Sequence, residues 1–375
     1  MQNAMNIMNN SYLNVDMHIF KNNVNTIISS LPAEARLIPV LKGDGFGLGL
    51  VPLARAAAGF DAISTLAVSH ASEGLTLRAG GITKDILVMS AAMPHQLSGA
   101  VAAGLILAAP SADFIRALDG AAEGLGLLAR VHIKIDTGLH RIGVEPGEEL
   151  DGLIRALHAA RHVRAEGVFS HFADTDDAEA CAGQFARFMQ AIEQLDAAGI
   201  SGIMRHIACS AARERYPQYT LDAVRVGRGL IMDSPDGVPH GIGEPASWRS
   251  FITAVKHRKK GDTLGYSGAY VLPQDADIAT IGVGYGDGLF PELCRRQAPV
   301  LIHGVRRPLI ACCMDQCFAD VSGLGCRVGD EVTLFGSDGA GGFLSSQEVA
   351  AYINDEGCAL TSALLPRVAR RYVDL

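Results

Sequence analysis

The 375-residue chain lacks the features of several classes of protein. It has no basic excess: 32 Lys and Arg stand against 40 Asp and Glu, a net charge of −8, which argues against nucleic acid and anionic membrane as main partners. No apolar run reaches the roughly 18 residues of a transmembrane helix. Residues 1–10 are polar, without the basic start and apolar stretch of a secretory signal. We therefore expect a cytoplasmic protein that does not span a membrane.

Metal-ligand motifs are scarce as well. The eight cysteines include no CxxC pair, and the adjacent pair Cys312-Cys313 has the wrong spacing for a zinc clip. No His, Asp and Glu set has the spacing of HExxH. We expect reduced, mostly buried cysteines and no bound metal.

Apolar residues are abundant, at 49% of the sequence, and a chain of this length suits one large domain with a smaller one. Up to about residue 235, short apolar runs alternate with longer amphipathic stretches about eight times. This alternation is typical of a parallel (β/α)8 barrel, whose strands are buried on both faces. The predicted strands are Leu37–Leu41, Ile63–Val68, Ile86–Met89, Leu105–Ala108, Val131–Ile135, Ala165–Phe169, Ile203–Ile207 and Val224–Ile231.

The alternation of short apolar runs and longer amphipathic stretches ends near Asp233. A connector rich in Pro and Gly follows, and then apolar runs separated by Gly-rich turns predict a mostly β second domain. The connector residues are Pro235, Pro239, Gly241 and Pro245. We predict a barrel over residues 12–235 and a β-rich domain over 236–375, with an N-terminal strand near 11–17 that pairs with the second domain.

The active sites of barrels lie at the carboxyl ends of the strands, so polar residues that follow an apolar run are the candidates. Lys42 follows the first predicted strand directly. A lysine with a lowered pKa at this position would suit a Schiff-base nucleophile. Alternatively, its long stem carries the charge to the rim of the barrel and has no chemical role. The residue alone does not decide between these interpretations.

Charged residues also follow the fifth predicted strand. Lys134, Asp136 and Arg141 could surround a small anion or a carboxylate, although a purely structural ion network is equally common. We leave both interpretations open at this point.

Polar residues follow the sixth and seventh predicted strands, and the eighth carries arginines and glycines within it. The loops after strands seven and eight of a barrel often bind phosphate, and glycines let backbone N–H groups approach it. A lone buried histidine is more often a satisfied core residue, so the histidines count only through their neighbours. With Lys42, the set favours pyridoxal phosphate, which has one aldehyde and one phosphate. The residues are His171, His206, Ser210, Arg225, Gly227 and Arg228.

Nine motifs follow one another along the chain: IPVLKGDGFGLG, VHIKIDTGLHRIGV, GVFSHFADTDD, HIACSAA, VRVGRGL, LGYSGAY, VGYGDG, CCMDQ and RVARRYV. In sequence and in order they resemble the motifs of the alanine racemases, which are pyridoxal-phosphate enzymes built from a barrel and a β domain. The likeness runs over about residues 12–372, and nine motifs in family order are more specific than any one glycine pattern.

The resemblance implies a two-base racemase that works as a homodimer. Lys42 would bind the cofactor and serve one face of the substrate α-carbon, while Tyr266 would serve the other face in the partner subunit's site. Two such bases are what racemisation needs, because a proton leaves one face and returns on the other. The resemblance further implies that His171 hydrogen-bonds the tyrosine and that Arg225 bonds both His171 and the pyridine nitrogen.

The resemblance also implies the remaining binding residues. Arg141 would reach the substrate carboxylate, Met314 would offer it a backbone N–H, and Asp315 would orient the groups around it. Lys134 falls where the family often has a carbamylated lysine. Ser210, Gly227 and Arg228 would hold the phosphate with Phe46, and Tyr285 would line the substrate site with Cys358.

The chain departs from the family pattern at several of these positions. Phe46 replaces a usual tyrosine, Cys209 a usual asparagine, and Arg228 an aliphatic residue. Cys358 stands in the place of a second active-site tyrosine; alternatively, Tyr352 is that tyrosine, displaced by a small gap. We expect Arg228 to offset lost phosphate contacts and the missing ring at Cys358 to leave a roomier pocket that accepts serine or larger amino acids beside alanine. The alternatives are a decarboxylase of the same architecture and a cofactor-binding homologue without turnover.

Overall fold

The computed structural model describes residues 9–233 and 241–374, so Pro235 and Pro239 of the predicted connector lie outside the described residues. The chain divides into two compact units. The barrel unit comprises Asn23–Gly45 and Leu50–Leu230; the β unit comprises the residues before and after these and the short segment Phe46–Gly49. The sequence pattern did not indicate that this short segment belongs to the β unit.

Eight parallel strands form the barrel, and each predicted strand overlaps one of them. Six neighbours form one sheet, and the first and last strands pair with each other. Backbone contacts join these groups: Val40 bridges Ala67, the N–H of Arg225 donates to the carbonyl of Ala208 at 3.0 Å, and the N–H of Asp222 donates to the carbonyl of Arg205 at 3.1 Å. After β1 (Ser11–Asp16), the barrel strands are β2 (Arg36–Pro39), β3 (Thr65–Val68), β4 (Asp85–Val88), β5 (Ile106–Ala109), β6 (Ala129–Lys134), β7 (Val163–Phe169), β8 (Met204–His206) and β9 (Ala223–Val226).

The last barrel strand is shorter than its apolar run predicts. The prediction of a strand to Ile231 is wrong, because β9 ends at Val226 and a 3₁₀ turn over Arg228–Leu230 follows. A run of buried residues does not reveal where a strand gives way to a turn that is buried as well.

Helices follow most of the barrel strands, and their starts are encoded locally. Ser111 and Asp177 accept hydrogen bonds from the backbone N–H groups three residues on, as N-caps do. Inside the barrel, apolar strand residues such as Ile38, Leu87 and Ile106 form a buried cluster. The helices are α1 (Met17–Ser30), α2 (Leu50–Ala58), α3 (Ala71–Ala79), α4 (Leu97–Ala102), α5 (Ala112–Glu123), α6 (Glu148–Ala159), α7 (Ala178–Ala197) and α8 (Ser210–Arg215).

The β unit is built on a ring of six antiparallel strands. The ring runs from β10 (Ala246–Arg258) through β13 (Ala276–Ile281), β16 (Cys317–Asp320), β15 (Val305–Cys312), β14 (Pro299–Ile302) and β17 (Glu331–Ser337) back to β10. The strand β1 pairs antiparallel with β10 and begins that pairing at Ser11. On its other edge, β1 pairs parallel with β19 (Ala369–Val373). Smaller elements are β11 (Thr263–Leu264), β12 (Tyr270–Val271), β18 (Phe343–Leu344), α9 (Pro291–Arg295), α10 (Ser346–Ala351) and α11 (Gly357–Ser362).

Membrane-spanning helices are absent from the described ranges, in which no helix is both long enough and apolar enough to cross a bilayer.

Candidate active site

Lys42 opens a left-handed turn just beyond the carboxyl end of β2. The four residues after it have φ values of 64°, 55°, 63° and 55°, and glycines at 43 and 45 reduce the steric cost of this conformation. The turn is anchored on both sides: the N–H of Gly43 donates to Glu73 Oε1 at 2.6 Å, and Asp44 Oδ1 accepts from the N–H of Leu50 at 2.8 Å. This anchored turn leaves Lys42 exposed at the barrel mouth.

The next segment, Phe46–Gly49, packs within the β unit. A Cβ on Gly47 would lie 1.8 Å from the carbonyl oxygen of Thr361, so only glycine permits this approach to α11. The Arg370 Nε–H donates to the carbonyl of Gly47 at 2.9 Å. Two departures from the family pattern, Phe46 and Cys358 of α11, therefore lie on elements of one unit that touch each other.

Arg141 is carried by a loop that folds back on the end of β6. Ile135 bridges Val144, and a Cβ on Gly143 would lie 2.7 Å from the carbonyl oxygen of Lys134. Asp136 Oδ1 accepts two backbone N–H groups of the same loop, at 2.9 and 3.1 Å. These contacts hold the loop in place, and the Arg141 side chain is exposed at the mouth.

Lys134 lies buried beneath that loop. Its Nζ donates to the carbonyl of Ile135 at 2.6 Å, and its side chain is 2% exposed. Burial and the nearby Arg225 charge lower the pKa of Lys134 to about 7. At neutral pH a substantial share of this lysine is therefore the uncharged amine, which is the nucleophilic form.

Arg225 lies inside the barrel, 4% exposed, and organises the polar residues there. Its guanidinium donates to the carbonyls of Ser170, His206 and Ile207 at 2.7–3.1 Å. It also donates to Nδ1 of His206 at 2.8 Å and to Nδ1 of His171 at 3.0 Å. Burial lowers the pKa of Arg225 to about 10, so the side chain stays charged at neutral pH. The hydrogen bond expected between His171 and Arg225 is present.

The donor character of Arg225 sets the tautomers of the histidines around it. A guanidinium has no acceptor atom, so Nδ1 of His206 must accept and its proton is on Nε2. That Nε2–H donates to Nδ1 of His132 at 2.8 Å, which in turn places the His132 proton on Nε2. Gly167 of β7 makes room for this buried ring, since a Cβ there would lie 2.6 Å from it. The result is a directional chain from Arg225 through His206 to His132.

His171 is neutral by the same logic. Burial, followed by the charges of Arg225, Arg141, Lys134 and Lys42, lowers its pKa to about 3. Because Nδ1 accepts from Arg225, the Nε2–H of His171 is a hydrogen-bond donor at physiological pH. The same charges show that these residues are electrostatic neighbours at the barrel mouth.

Ser210 and two glycines form a small polar cradle at the start of α8. The N–H groups of Gly227 and Gly229 both lie 3.3 Å from Ser210 Oγ. A Cβ on Gly229 would lie 3.1 Å from Val226 Cγ1 and 3.5 Å from that hydroxyl, so a side chain there would crowd the cradle. Arg228, partly buried, stands between the two glycines. Because Ser210 Oγ accepts these two N–H groups, its O–H is the donor that the cradle can offer to a phosphate.

In the β unit, the turn with Met314 and Asp315 is held by the turn with Tyr285. The N–H of Tyr285 donates to the carbonyl of Cys313 at 3.2 Å, and that of Gly286 donates to the carbonyl of Met314 at 2.8 Å. A Cβ on Gly284 would lie 2.4 Å from both carbonyl oxygens. The side chains of Met314 and Tyr285 remain exposed, at 50% and 39%.

A half-exposed arginine, Arg367, links these two turns by ion pairs. Arg367 binds Asp287 in a bidentate manner at 2.6 and 3.0 Å and also donates to Asp315 Oδ1 at 2.7 Å. Its Nη2 lies 3.2 Å from the carbonyl of Met314 as well. Thus Arg367 connects the carboxylates of both turns and positions Asp315.

Tyr266 stands on an exposed turn of the β unit between β11 and β12. Gly265 and Ser267 on either side have left-handed φ values of 75° and 54°, and the phenol side chain is 68% exposed. A Cβ on Gly265 would touch Ala311 of β15 at 3.5 Å, so the turn packs on the strand that leads to Met314. An exposed phenol on a tight turn is available to another molecule.

Sequence reasoning missed several residues of these clusters. It assigned no role to His132, Asp287 or Arg367, although each falls within a motif quoted for the family resemblance. The motif order marked the segments, but nothing in the linear sequence indicates that Arg367 bonds residues about fifty and eighty positions earlier.

The comparisons with known proteins agree with the two-unit architecture. The family model "Alanine racemase, N-terminal domain" matches residues 15–235, and "Alanine racemase, C-terminal domain" matches residues 246–372. These matches cover most of the chain. The chain belongs to the alanine racemase family, and it is accordingly an amino-acid racemase.

The alignments with individual relatives cover nearly the full length of this chain and of each relative. The alanine racemase of Desulfovibrio desulfuricans is 35% identical over 96% of this chain and 97% of its own. The solved alanine racemase of Streptomyces coelicolor superimposes with a TM-score of 0.92 at 28% identity, covering 98% of each chain. That of Bacillus anthracis with bound L-Ala-P gives 0.91 at 29% identity, covering 97% of this chain and 95% of its own.

Proposed function

We propose that this protein racemises alanine with pyridoxal phosphate as its cofactor, in a homodimer whose active sites are shared. The observation that carries the proposal is the charged Arg225 bonded to the neutral His171, beside Lys42 at the barrel mouth. The family match and the near-complete coverage of alanine racemases support alanine as substrate.

The residues present fit the cofactor. Ser210 offers its O–H to a phosphate, in a cradle where the N–H groups of Gly227 and Gly229 donate to its Oγ and a side chain at Gly229 would crowd the space. Lys42 offers an exposed primary amine at the carboxyl end of β2. When bound, pyridoxal phosphate would supply an aldehyde for the substrate amine and a ring that accommodates negative charge from the α-carbon.

Two bases then act on opposite faces of the substrate α-carbon. Lys42 takes or returns the proton on one face, and Tyr266 of the partner subunit does so on the other. A phenol normally titrates near 10, so it needs help to act as a base near neutrality. The Nε2–H of His171 supplies that help, because a hydrogen bond to the phenolate favours the charged form.

Arg225 favours racemisation over competing reactions. It keeps its proton at neutral pH, so it donates to a ring nitrogen rather than protonating it. By leaving that nitrogen unprotonated, Arg225 would weaken the electron withdrawal that the cofactor supplies and so disfavour transamination. The directional chain through His206 to His132 holds Arg225 in the orientation this requires.

Arg141 binds the substrate carboxylate and is positioned by Lys134. The low pKa of Lys134 supports its carbamylation: the neutral amine attacks carbon dioxide, a C–N bond forms, and one proton leaves to solvent. The resulting carbamate would replace a buried cation by an anion that can pair with Arg141.

Hybrid dimers test the shared site. Lys42→Ala and Tyr266→Phe each remove one base, and either homodimer should be inactive within the assay. When the two are unfolded and refolded together, half of the dimers are hybrids with one intact site, so about one quarter of wild-type activity should return if the sites are shared. The measurement is alanine racemisation by optical rotation.

If each subunit used its own tyrosine, the mixture would recover no racemase activity. That result would contradict the shared site. A monomer in sedimentation experiments at assay concentration would contradict it too. Solvent deuterium incorporation separates the bases further, because Tyr266→Phe should still exchange the α-proton of the enantiomer whose proton faces Lys42. Loss of exchange from both enantiomers alike would contradict the two-base assignment.

The substrate range is proposed to extend to serine. Cys358, on α11, lacks the ring of the tyrosine that the family pattern has at this position. Cys358→Tyr should lower kcat/KM for serine relative to alanine by about 10-fold, within the roughly 1–3 kcal/mol by which pocket size discriminates. Equal effects on both substrates would contradict a role of residue 358 in selecting size.

Decarboxylation by the same architecture and cofactor binding without turnover are the alternatives. Both matched family models are those of alanine racemase, which favours racemisation. Release of carbon dioxide from amino acids would support decarboxylation. Absence of α-proton exchange in the cofactor-loaded wild type would support cofactor binding without turnover.

A further inference from the structure

A second cluster of chemistry-bearing side chains lies in the β unit, away from the residues assigned above. It consists of His303, Cys326 and Asp330, whose ligand-type atoms all lie within 4.8 Å of one another. His303 follows β14 and the other two precede β17. We propose that this triad is a zinc site.

Backbone geometry presents the three side chains together. His303 and Gly304 form the two-residue turn between β14 and β15, with φ values of 52° and 73°, as in a type I′ hairpin. Ile302 pairs with Val332 across β14 and β17, so the end of β14 lies beside the residues that open β17. The turn before β17 is closed by the N–H of Asp330, which donates to the carbonyl of Arg327 at 3.2 Å.

The ligand atoms are already close to the spacing of a metal site. His303 Nε2 lies 2.9 Å from Asp330 Oδ2, and that oxygen also accepts the N–H of Arg327 at 2.9 Å. Zinc–ligand distances of about 2.0–2.3 Å put tetrahedral corners about 3.3–3.6 Å apart, so the imidazole and carboxylate would separate slightly and a pair at the 4.8 Å limit would close by a little over 1 Å. Zinc on Nε2 would replace the hydrogen bond between imidazole and carboxylate, with the proton of the neutral imidazole on Nδ1.

The donor set selects the metal. Thiolate, imidazole and carboxylate together suit zinc, whereas magnesium and calcium prefer oxygen ligands alone. Binding forms a sulfur–zinc bond and breaks the S–H bond of Cys326, whose proton leaves to the buffer. The Zn²⁺ charge is then balanced by one thiolate and one carboxylate, and a water can fill the fourth position.

The triad is separate from the turn that carries Met314. The two turns lie at opposite ends of β15, and seven steps of about 3.3 Å along a strand put them about 23 Å apart. Zinc would therefore fasten the ends of β14, β15 and β17 to the turn before β17, and it would not touch the substrate. The sequence-based expectation of no metal site rested on short motifs, which cannot reveal ligands from separate turns.

The test uses the full-length protein with its cofactor, treated with a chelator and then given Zn²⁺ or Co²⁺ alone. Wild type should bind one equivalent, and Co²⁺ should give a thiolate-to-cobalt charge-transfer band. Cys326→Ser should abolish the band, and His303→Asn, which keeps the left-handed turn, should weaken zinc affinity by at least about tenfold. Zinc should also slow alkylation of Cys326 by iodoacetamide, as mapped by mass spectrometry.

His257→Ala is the matched control. His257 Nδ1 lies 2.9 Å from Asp277 Oδ1, the same kind of pair as in the triad, but the two metal-ligating groups near its imidazole are carboxylates. Zinc binding should be unchanged in this variant. Equal zinc affinity in wild type and Cys326→Ser, no charge-transfer band, or unaltered alkylation of Cys326 would each overturn the proposal.

Discussion

The barrel unit and the β unit hold their candidate site residues in different ways. In the barrel, Arg225, His206 and His132 are almost fully buried and hydrogen-bonded to one another and to strand ends. In the β unit, Tyr266 and Met314 project from exposed turns whose backbone, rather than their side chains, is held in place. Barrel residues should therefore contribute to folding as well as to function, whereas the residues on the β-unit turns should affect function almost alone.

Arg225→Ala is expected to have the largest effect on stability. It would leave three buried carbonyls and two imidazole nitrogens without their donor, so the free energy of unfolding should fall by about 3–5 kcal/mol. Tyr266→Phe should change it by less than about 0.5 kcal/mol. Urea unfolding of both variants checks this, and similar losses in the two would remove the distinction between the units.

The buried histidines should make the barrel sensitive to acid. His132 has its pKa lowered to about 3 by burial and by the Arg130 and Arg225 charges, against 6.5 when unfolded. Between these values the unfolded chain binds more protons, so stability is fully present above pH 6.5 and falls as the pH drops towards 3. The slope should be about 1.4 kcal/mol per pH unit for each such histidine.

His132→Gln sharpens this prediction. The amide can still accept from the Nε2–H of His206, but it does not titrate. Its stability should therefore fall less steeply with acid than that of the wild type, measured by urea unfolding at several pH values. His95→Gln, on the surface, is the control, and parallel curves for His132→Gln and wild type would show that His132 is not a buried neutral group.

Arg367→Ala should have a modest effect on stability and a clear effect on the KM for alanine. The side chain is half exposed, so losing its ion pairs should cost only about 1 kcal/mol. The turn with Met314 and Asp315 would lose its hydrogen bonds to Arg367. The KM for alanine should therefore rise about tenfold with little change in Tm. The control is Arg295→Ala, at another exposed arginine of the β unit, which should leave the KM for alanine unchanged. An unchanged KM in Arg367→Ala would show that the bonds from Arg367 do not affect substrate binding.

Much of the architecture was predictable from periodicity. Eight apolar runs correspond to eight strands because burial is a property of the strand residues themselves. Polar residues after those runs marked Lys42, Arg141 and His171, while Arg225 was marked as a charged residue within the last run. The exception was the end of β9, where a buried turn continues a buried strand. Burial is a property of single positions, so a linear pattern can show it.

Other features depend on which distant residues become neighbours. The tautomers of His206 and His132, the packing of Gly47 against Thr361, and the bonds from Arg367 to Asp287 and Asp315 all join residues remote in the chain. So does the triad that includes His303 and Asp330. The sequence by itself determined the strands, the two domains and the family. Only the tertiary structure decided the partners of each polar group, because a hydrogen bond depends on position in space and not on order in the chain.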